Sequence, residues 1–180
     1  MNTYIALLRA VNVGGARKIA MAALRSFAAE IGLGDPRTLL QSGNLVFSTD
    51  GAEPEVLERT LEKEAEDRLG LSTTFLVRTA AEWRGVVSGN PFTDEARDDP
   101  SHLVTLFTRE APSASEVHAL EQAIRGREVI HAVGRQVYAV YPDGIGRSKL
   151  THAVIERALG SPCTGRNWNT VLELDRMVGG

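Results

Sequence analysis

The chain has 180 residues, of which 43% are apolar and 24% are charged, and its net charge is −3. This composition is typical of a globular protein and excludes a disordered chain or a disulfide scaffold; the length fits one domain or two small ones. The slightly acidic balance argues against a general binder of polyanions. Because the sequence lacks a membrane-spanning apolar run and a signal-peptide pattern, and its single cysteine cannot form an internal disulfide, we expect a cytoplasmic protein that does not enter a membrane.

The first half of the chain predicts six elements in the order strand, helix, strand, strand, helix, strand. Apolar residues at spacings of three and four predict two amphipathic helices, and Gly32 and Gly70 are expected to end them. The segment Ser42-Gly43-Asn44 between two strand-like runs indicates a β-hairpin. The predicted ranges are a strand at 3–10, a helix at 21–31, strands at 37–40 and 45–48, a helix at 54–69 and a strand at 73–77.

The same order of elements starts again after a polar stretch. A short helix at 79–88 ends the first unit (1–90), residues 91–100 form a linker with two prolines, and 101–180 form the second unit. Ser113 and Glu116 have the spacing of a capping box, and Gly134-Arg135 indicates a second hairpin. The predicted ranges are a strand at 102–108, a helix from 113, strands at 128–133 and 136–141, a helix capped by Ser148, an irregular segment at 161–165 and a helix at 167–178.

The repeated order predicts an α+β fold of two tandem ferredoxin-like βαββαβ units. The second unit is expected to end in an irregular segment and a C-terminal helix. An internal duplication is supported by the hairpins, since Gly43 precedes Phe47 by four residues and Gly134 precedes Tyr138 by four. A single larger α+β sheet is the alternative architecture.

A candidate binding site follows from this topology. In a βαββαβ unit, the loop after the first strand and the hairpin between the second and third strands meet at one edge of the sheet. That edge gathers glycines, amide side chains and cations here, and such groups bind anions; alternatively, the asparagines satisfy local backbone groups and the glycines supply positive φ. The expected anion or phosphate ligands are Arg9, Asn12, Gly14, Gly15, Arg17, Lys18, Gln41, Ser42, Gly43 and Asn44.

Two later segments are secondary candidates. Residues 144–149 are expected to open a helix, whose N-terminus attracts phosphate, although the glycine spacing of a phosphate-binding loop is missing. Residues 164–170 combine a cation, an indole and carboxamides, and the alternative there is an asparagine-capped helix with its tryptophan in the core. The secondary candidates are Ser148, Lys149, Arg166, Asn167, Trp168 and Asn169.

Signatures of catalysis and of metal binding are weak in the sequence. The four histidines show no metal-ligand spacing, and Cys163 has no second cysteine nearby, so we expect neither a metal nor another cofactor. Ser148 and Lys149 are adjacent in the chain and do not face each other on a helix. Whether the protein is an enzyme therefore stays open, and no catalytic residue is assigned.

Four segments of the chain together carry a family resemblance. They are Leu-Leu-Arg-Ala-Val-Asn-Val-Gly-Gly at 7–15, Lys-Ile-Ala-Met at 18–21, Gln-Ser-Gly-Asn-Leu-Val-Phe at 41–47 and Thr-Gly-Arg-Asn-Trp-Asn-Thr-Val at 164–171. In this order they resemble a bacterial family of uncharacterised proteins, domain of unknown function 1697. The resemblance implies tandem ferredoxin-like α+β units and no established activity or substrate.

Three functions compete on this sequence. The first is binding of a phosphorylated small molecule or nucleotide at the predicted edge, completed by residues 166–169. The second is a single-stranded RNA-binding module, which needs exposed aromatic side chains on the sheet; Tyr4 and Phe47 are the candidates, and nucleic acid is the less favoured partner. The third is a non-catalytic interaction or assembly module, in which Arg166 and Trp168 would be buried between the two halves. The sequence leaves the oligomeric state open.

Overall fold

The structure is a computed structural model that describes residues 1–9 and 18–179. The chain divides into two compact units. Unit 1 contains Met1–Gly85 and the residues from Leu174 onward, and unit 2 contains Val86–Glu173. The observed division thus falls a few residues before the stretch at 91–100 that the sequence suggests as a linker.

Unit 1 is built on a four-stranded antiparallel sheet with the strand order β2-β3-β1-β4. Two helices connect the strands in the ferredoxin-like βαββαβ order, as the sequence predicts. A third helix follows and continues past Gly85 into unit 2. The elements are β1 (Asn2–Leu8), α1 (Met21–Glu30), β2 (Gly34–Leu39), β3 (Asn44–Thr49), α2 (Pro54–Leu69), β4 (Phe75–Thr79) and α3 (Ala80–Ser88).

The core of unit 1 follows from the period of two in its strands. Tyr4, Ala6 and Leu8 alternate along β1 and enter the same apolar cluster as the buried residues of α1 and α2. Tyr4 stacks on Phe47 of the neighbouring strand, with ring centroids 5.6 Å apart. The alternation therefore fixes which face of the sheet the helices cover, and it positions the strand ends.

Unit 2 repeats this topology, with the strand order β6-β7-β5-β8 in a second antiparallel sheet. The confirmed architecture is therefore two tandem ferredoxin-like units followed by a C-terminal helix. None of the helices within residues 1–9 and 18–179 is long and apolar enough to cross a membrane. From α4 onward the elements are α4 (Thr93–Asp98), β5 (Leu103–Thr108), α5 (Ala114–Ala123), β6 (Val129–Val133), β7 (Gln136–Val140), α6 (His152–Leu159), β8 (Cys163–Asn167) and α7 (Trp168–Met177), with a 3₁₀ turn at Ile145–Arg147. The last turn of α7, from Leu174, belongs to unit 1.

The segment at 161–165, expected to be irregular, contributes to a regular strand. Cys163–Asn167 forms β8 and pairs with β5 along its whole length. Gly165 weakens the strand signal because glycine is unfavourable in strands. Packing explains its presence, since a Cβ atom at that position would lie 3.1 Å from a Val104 methyl and 3.2 Å from a Leu106 methyl.

The start of α6 also differs from the prediction. Thr151 caps this helix, with its hydroxyl accepting from the Val154 N–H at 3.4 Å. Ser148, the predicted cap, instead donates its hydroxyl to the Glu128 carboxylate. The 3₁₀ turn at Ile145–Arg147 precedes Ser148, so Ser148 and Lys149 lie between this turn and the cap of α6 at Thr151.

Candidate functional site

The end of β1 and the β2–β3 turn meet at one edge of the unit 1 sheet, as the topology predicts. The Leu8 N–H donates to the Gly43 carbonyl at 2.9 Å, and Leu7 pairs with Asn44 in the strand register. We call this place, formed by Leu8, Arg9 and residues 40–44, the hairpin edge. The predicted ligands Asn12, Gly14, Gly15 and Arg17 lie outside the described residues.

Two of the predicted ligands, Gly43 and Asn44, serve the local backbone. Asn44 is fully buried, and its amide Nδ2 donates to the Leu39 carbonyl at 2.7 Å and to the Ser42 hydroxyl at 3.1 Å. Gly43 has φ 81°, which glycine adopts without strain. For these two residues the local-structure interpretation is therefore sufficient, whereas Gln41 is exposed and Ser42 is half-buried.

The backbone of Arg9 is held on the side of β4. Its N–H donates to the Thr74 carbonyl at 2.9 Å, and its carbonyl accepts from the Thr73 hydroxyl at 2.7 Å. Thr73 also lines a cleft of about 340 Å³ beside α2. The charged side chains along this cleft balance one another, and they are Arg59, Glu62, Lys63 and Glu66.

The N-terminus of α1 carries a net positive electrostatic bias. The chain enters α1 from the same connection that leaves β1, and Lys18 is exposed just before the helix. Ala20 occupies the N-cap position in an extended conformation, and the first turn holds no acidic residue. No side chain within residues 1–9 and 18–179 caps this helix. The first-turn N–H groups and the helix dipole therefore favour an anion here.

Leu40 is an unusual residue in the hairpin turn. Its φ of 57° lies in the left-handed region, which costs a non-glycine residue about 1–2 kcal/mol. Its side chain is 58% exposed. Strained residues are concentrated at functional sites. Nothing in the sequence pattern indicated the left-handed conformation of Leu40.

The two candidates for RNA stacking are buried, and so are two tyrosines of unit 2. Tyr4 and Phe47 are stacked inside the core of unit 1. In unit 2, Tyr138 is buried with its hydroxyl donating to the Val86 carbonyl at 2.6 Å, and Tyr141 is buried as well. Burial and the nearby Glu128 carboxylate raise the pKa of Tyr141 to about 12. These four rings do not provide the exposed stacking surface that single-stranded RNA requires.

The segment at 164–170, which holds four of the secondary candidates, contains the start of an asparagine-capped helix. Asn167 Oδ1 accepts from the Thr170 N–H at 3.0 Å and so caps α7. Trp168 is 4% exposed and meets Tyr138 edge to face, with the ring centroids 6.4 Å apart. The alternative stated from the sequence, a capped helix with its tryptophan in the core, is therefore what the structure contains. Asn169 is exposed.

Arg166 is a buried cation. Its guanidinium Nη1 donates to the Thr164 hydroxyl at 2.7 Å and to the Gly165 carbonyl at 2.9 Å. Burial lowers the pKa of Arg166 to about 10. With 6% of the residue exposed, its guanidinium is engaged within β8 rather than presented to solvent.

Unit 2 contains a cleft and a side-chain cluster that the sequence did not indicate. The cleft has a volume of about 430 Å³ and lies between the start of α6 and the sheet, with His152, Ile155 and Asn167 in its lining. Beside it, one ligand atom each from His152, Glu156 and Cys163 lie within 4.8 Å of one another. The spacing of four between His152 and Glu156 could have indicated from the sequence that these two side chains lie close together. The proximity of Cys163 depends on the α6–β8 turn and could not.

The fold and the marked segments together define an α+β protein with tandem ferredoxin-like units. Residues 1–138 match the family described as "Protein of unknown function (DUF1697)", and the chain belongs to this family. It is also similar in fold to a solved structure, the conserved bacterial protein SP0830 from Streptococcus pneumoniae, with 21% sequence identity, a TM-score of 0.74 and coverage of 98% of each chain. No curated protein matches the chain.

Proposed function

We propose that the chain binds a phosphate-bearing small molecule, such as a nucleotide or a sugar phosphate, at the hairpin edge of unit 1. The observation that carries this proposal is the hydrogen bond of 2.9 Å between the Leu8 N–H and the Gly43 carbonyl. It supports the proposal because it brings the turn next to the strand end from which the chain continues to α1. Lys18 belongs to that same connection. The connection leads to the N-terminus of α1, which no side chain in the described part of the chain caps.

The chemistry of recognition is electrostatic. A phosphate group accepts hydrogen bonds from first-turn N–H groups and is stabilised by the positive end of the helix dipole. Lys18 adds a mobile point charge, and Arg9 adds a guanidinium whose backbone is fixed by Thr73 and Thr74. The cleft beside Thr73 offers room for the remainder of a ligand. The proposal concerns binding and includes no bond-making step.

The cytoplasm remains the proposed location. The chain has one cysteine, so it cannot form an internal disulfide, and phosphorylated metabolites are available in that compartment.

Thermal unfolding of the full chain with a panel of ligands tests the proposal. The panel contains inorganic phosphate, nucleotides, sugar phosphates and short oligonucleotides, each at low and high salt. A ligand at about 100 times its Kd adds about 2.7 kcal/mol to the free energy of unfolding, which corresponds to a rise of about 5–10 °C in Tm. Lys18→Ala should reduce the rise, whereas Lys149→Ala, the same change at an exposed lysine of unit 2, should leave it unchanged.

Two outcomes contradict the proposal. One is an unchanged Tm with every small phosphate compound in the panel. The other is a rise that Lys18→Ala and Lys149→Ala reduce equally, because binding would then depend on overall charge. Stabilisation by oligonucleotides alone, lost steeply as salt increases, would support the RNA-binding alternative instead.

A further inference from the structure

A histidine, a carboxylate and a thiol converge where α6 turns into β8. His152 and Glu156 lie one helical turn apart on α6, with His152 Nε2 and Glu156 Oε1 separated by 3.2 Å. The same carboxylate oxygen accepts from the Cys163 N–H at 3.0 Å. This bond holds Glu156 against the first residue of β8, and as a result all three ligand atoms lie within 4.8 Å of one another.

These are the three side-chain types that zinc prefers. Zn²⁺ binds histidine nitrogen and carboxylate oxygen at about 2.0–2.2 Å and thiolate sulfur at about 2.3 Å. In a tetrahedron with such bonds, neighbouring ligand atoms stand about 3.3–3.7 Å apart. The observed 3.2 Å between His152 Nε2 and Glu156 Oε1 is close to this spacing, and the Cys163 sulfur lies within 4.8 Å of both atoms.

The three ligands span the boundary between solvent and core. Cys163 is completely buried, Glu156 is half-buried and His152 is exposed. His152 also lines the cleft of about 430 Å³. An ion at this point would have its thiolate ligand shielded from water, while its histidine side opens to a space that admits small molecules.

A matched pair elsewhere shows what distinguishes this cluster. His118 and Glu121 on α5 also place an imidazole near a carboxylate, with 3.7 Å between His118 Nδ1 and Glu121 Oε2. That pair is exposed and belongs to none of the three-ligand groups found among the described residues. An exposed histidine–carboxylate contact is therefore not by itself a ligand set, and the buried thiol makes the difference.

We propose that His152, Glu156 and Cys163 bind one Zn²⁺ ion, with a fourth position left for water or a small ligand. Three protein ligands and one open position are typical of catalytic rather than structural zinc sites. Cys163 binds as the thiolate, and its proton is released to solvent. This site lies in unit 2 and is independent of the phosphate site proposed for unit 1.

Metal titration of the full chain, first freed of metal with a chelator, tests the site. Calorimetry with Zn²⁺ should give one equivalent of binding. Co²⁺ used as a spectroscopic probe should give a thiolate-to-cobalt charge-transfer absorption together with the visible bands of tetrahedral coordination. His152→Ala should weaken Zn²⁺ binding at least about 100-fold, since loss of an outer-shell partner alone costs 10–100-fold. His118→Ala is the matched control and should bind as the parent chain does.

The cobalt spectrum of the wild-type chain reports directly on thiolate coordination. It therefore tests the role of Cys163 even if a variant at this buried position fails to fold. A bound cobalt ion without thiolate charge transfer would overturn the proposal, and so would the absence of binding. Equal losses in His152→Ala and His118→Ala would overturn it too, because they would indicate non-specific surface binding. Loss of the charge-transfer absorption in a folded Cys163→Ser variant would support it.

Discussion

The two units share one topology but differ at the connection between their first strand and first helix. In unit 1, residues 9–20 separate β1 from α1, whereas in unit 2 residues 109–113 separate β5 from α5. The short connection ends in a complete capping box formed by Ser113 and Glu116. The long one ends at Ala20, which provides no side-chain cap. Unit 2 thus has the ferredoxin-like topology with a short, capped connection, and unit 1 has the same topology with a longer one.

The connection between the third strand and second helix shows the opposite difference. In unit 1 only residues 50–53 separate β3 from α2, whereas in unit 2 residues 141–151 separate β7 from α6. The cleft of unit 2 is lined in part by this longer connection. Connections in compact domains usually have about four to six residues, and longer ones more often carry function. Each unit therefore has one long connection. In unit 1 it leaves the hairpin edge, and in unit 2 it leads to the start of α6.

We expect the strongest loss of stability from a change at Trp168, because this side chain is buried in unit 2 and packs edge to face on Tyr138. Trp168→Ala should lower the free energy of unfolding by about 3–5 kcal/mol, because it removes a buried indole and leaves a cavity. Asn169→Ala, at the exposed neighbouring position, should change it by less than about 0.5 kcal/mol. Chemical denaturation measures both. A loss below about 1 kcal/mol for Trp168→Ala would remove the structural interpretation.

The next effect concerns the hairpin turn of unit 1. Asn44→Ala should lower the free energy of unfolding by about 1–3 kcal/mol, since it leaves the Leu39 carbonyl without its buried donor. Gln41→Ala, at an exposed position of the same turn, should be close to neutral. Equal effects of the two substitutions, measured in denaturant, would show that the Asn44 side chain does not close the turn.

The caps of the two first helices give a prediction of opposite signs. Ala20→Asn should raise the free energy of unfolding by about 1 kcal/mol, while Ser113→Ala should lower it by a similar amount. Ala20→Asp should stabilise the helix as well, but it should weaken phosphate binding about fivefold relative to Ala20→Asn, because it places a negative charge where the phosphate group would lie. Thermal unfolding and calorimetry supply the two readouts.

Failure of Ala20→Asn to stabilise the chain would mean that the first-turn N–H groups of α1 already have hydrogen-bond acceptors. The contrast between the two units would then be lost. Equal phosphate affinity in Ala20→Asp and Ala20→Asn would leave the difference in capping intact but place the anion elsewhere.

The smallest effect is a pH dependence in unit 2. The Ser113 N–H donates to the Glu116 carboxylate at 2.7 Å, and this backbone bond, together with the Ser113 side chain, lowers the pKa of Glu116 below its ordinary value of 4.5. A lowered folded-state pKa gives stability that is present above pH 4.5 and is lost as the pH falls through the folded pKa. Carboxyl NMR titration should show the lowered pKa, and Ser113→Ala should return it toward 4.5. A pKa at or above 4.5 in the parent chain would contradict the capping box.

The order of elements was predictable because hydrophobic period and turn chemistry agree along most of the chain. The capping box at Ser113 and the hairpin at Gly43 are local patterns with a direct physical cause, and both are present. Gly160 ends α6 in the left-handed conformation, as expected. The start of α6 was not predictable, because Ser148 has a distant competitor for its hydroxyl in Glu128.

The candidate sites were predictable only where topology alone brings residues together. The contact between Leu8 and Gly43 follows from the βαββαβ order. The cluster of His152, Glu156 and Cys163 does not, since it depends on how the α6–β8 turn positions one cysteine against one face of a short helix. The strand that carries this cysteine was also difficult to predict, because glycine has a low β-strand propensity. Gly165 is suited to β8 because its backbone packs tightly on Val104 and Leu106, which the sequence pattern does not reveal.

We propose that phosphate recognition belongs to the hairpin edge of unit 1 and to the N-terminus of α1. The most direct measurement is an NMR titration of the full ¹⁵N-labelled chain with a nucleoside diphosphate and with inorganic phosphate. We expect amide shifts that saturate and cluster at Leu8, Gly43 and the first turn of α1, with the capped first turn of α5 unchanged. Shifts centred on α5, or spread evenly over both units, would contradict it.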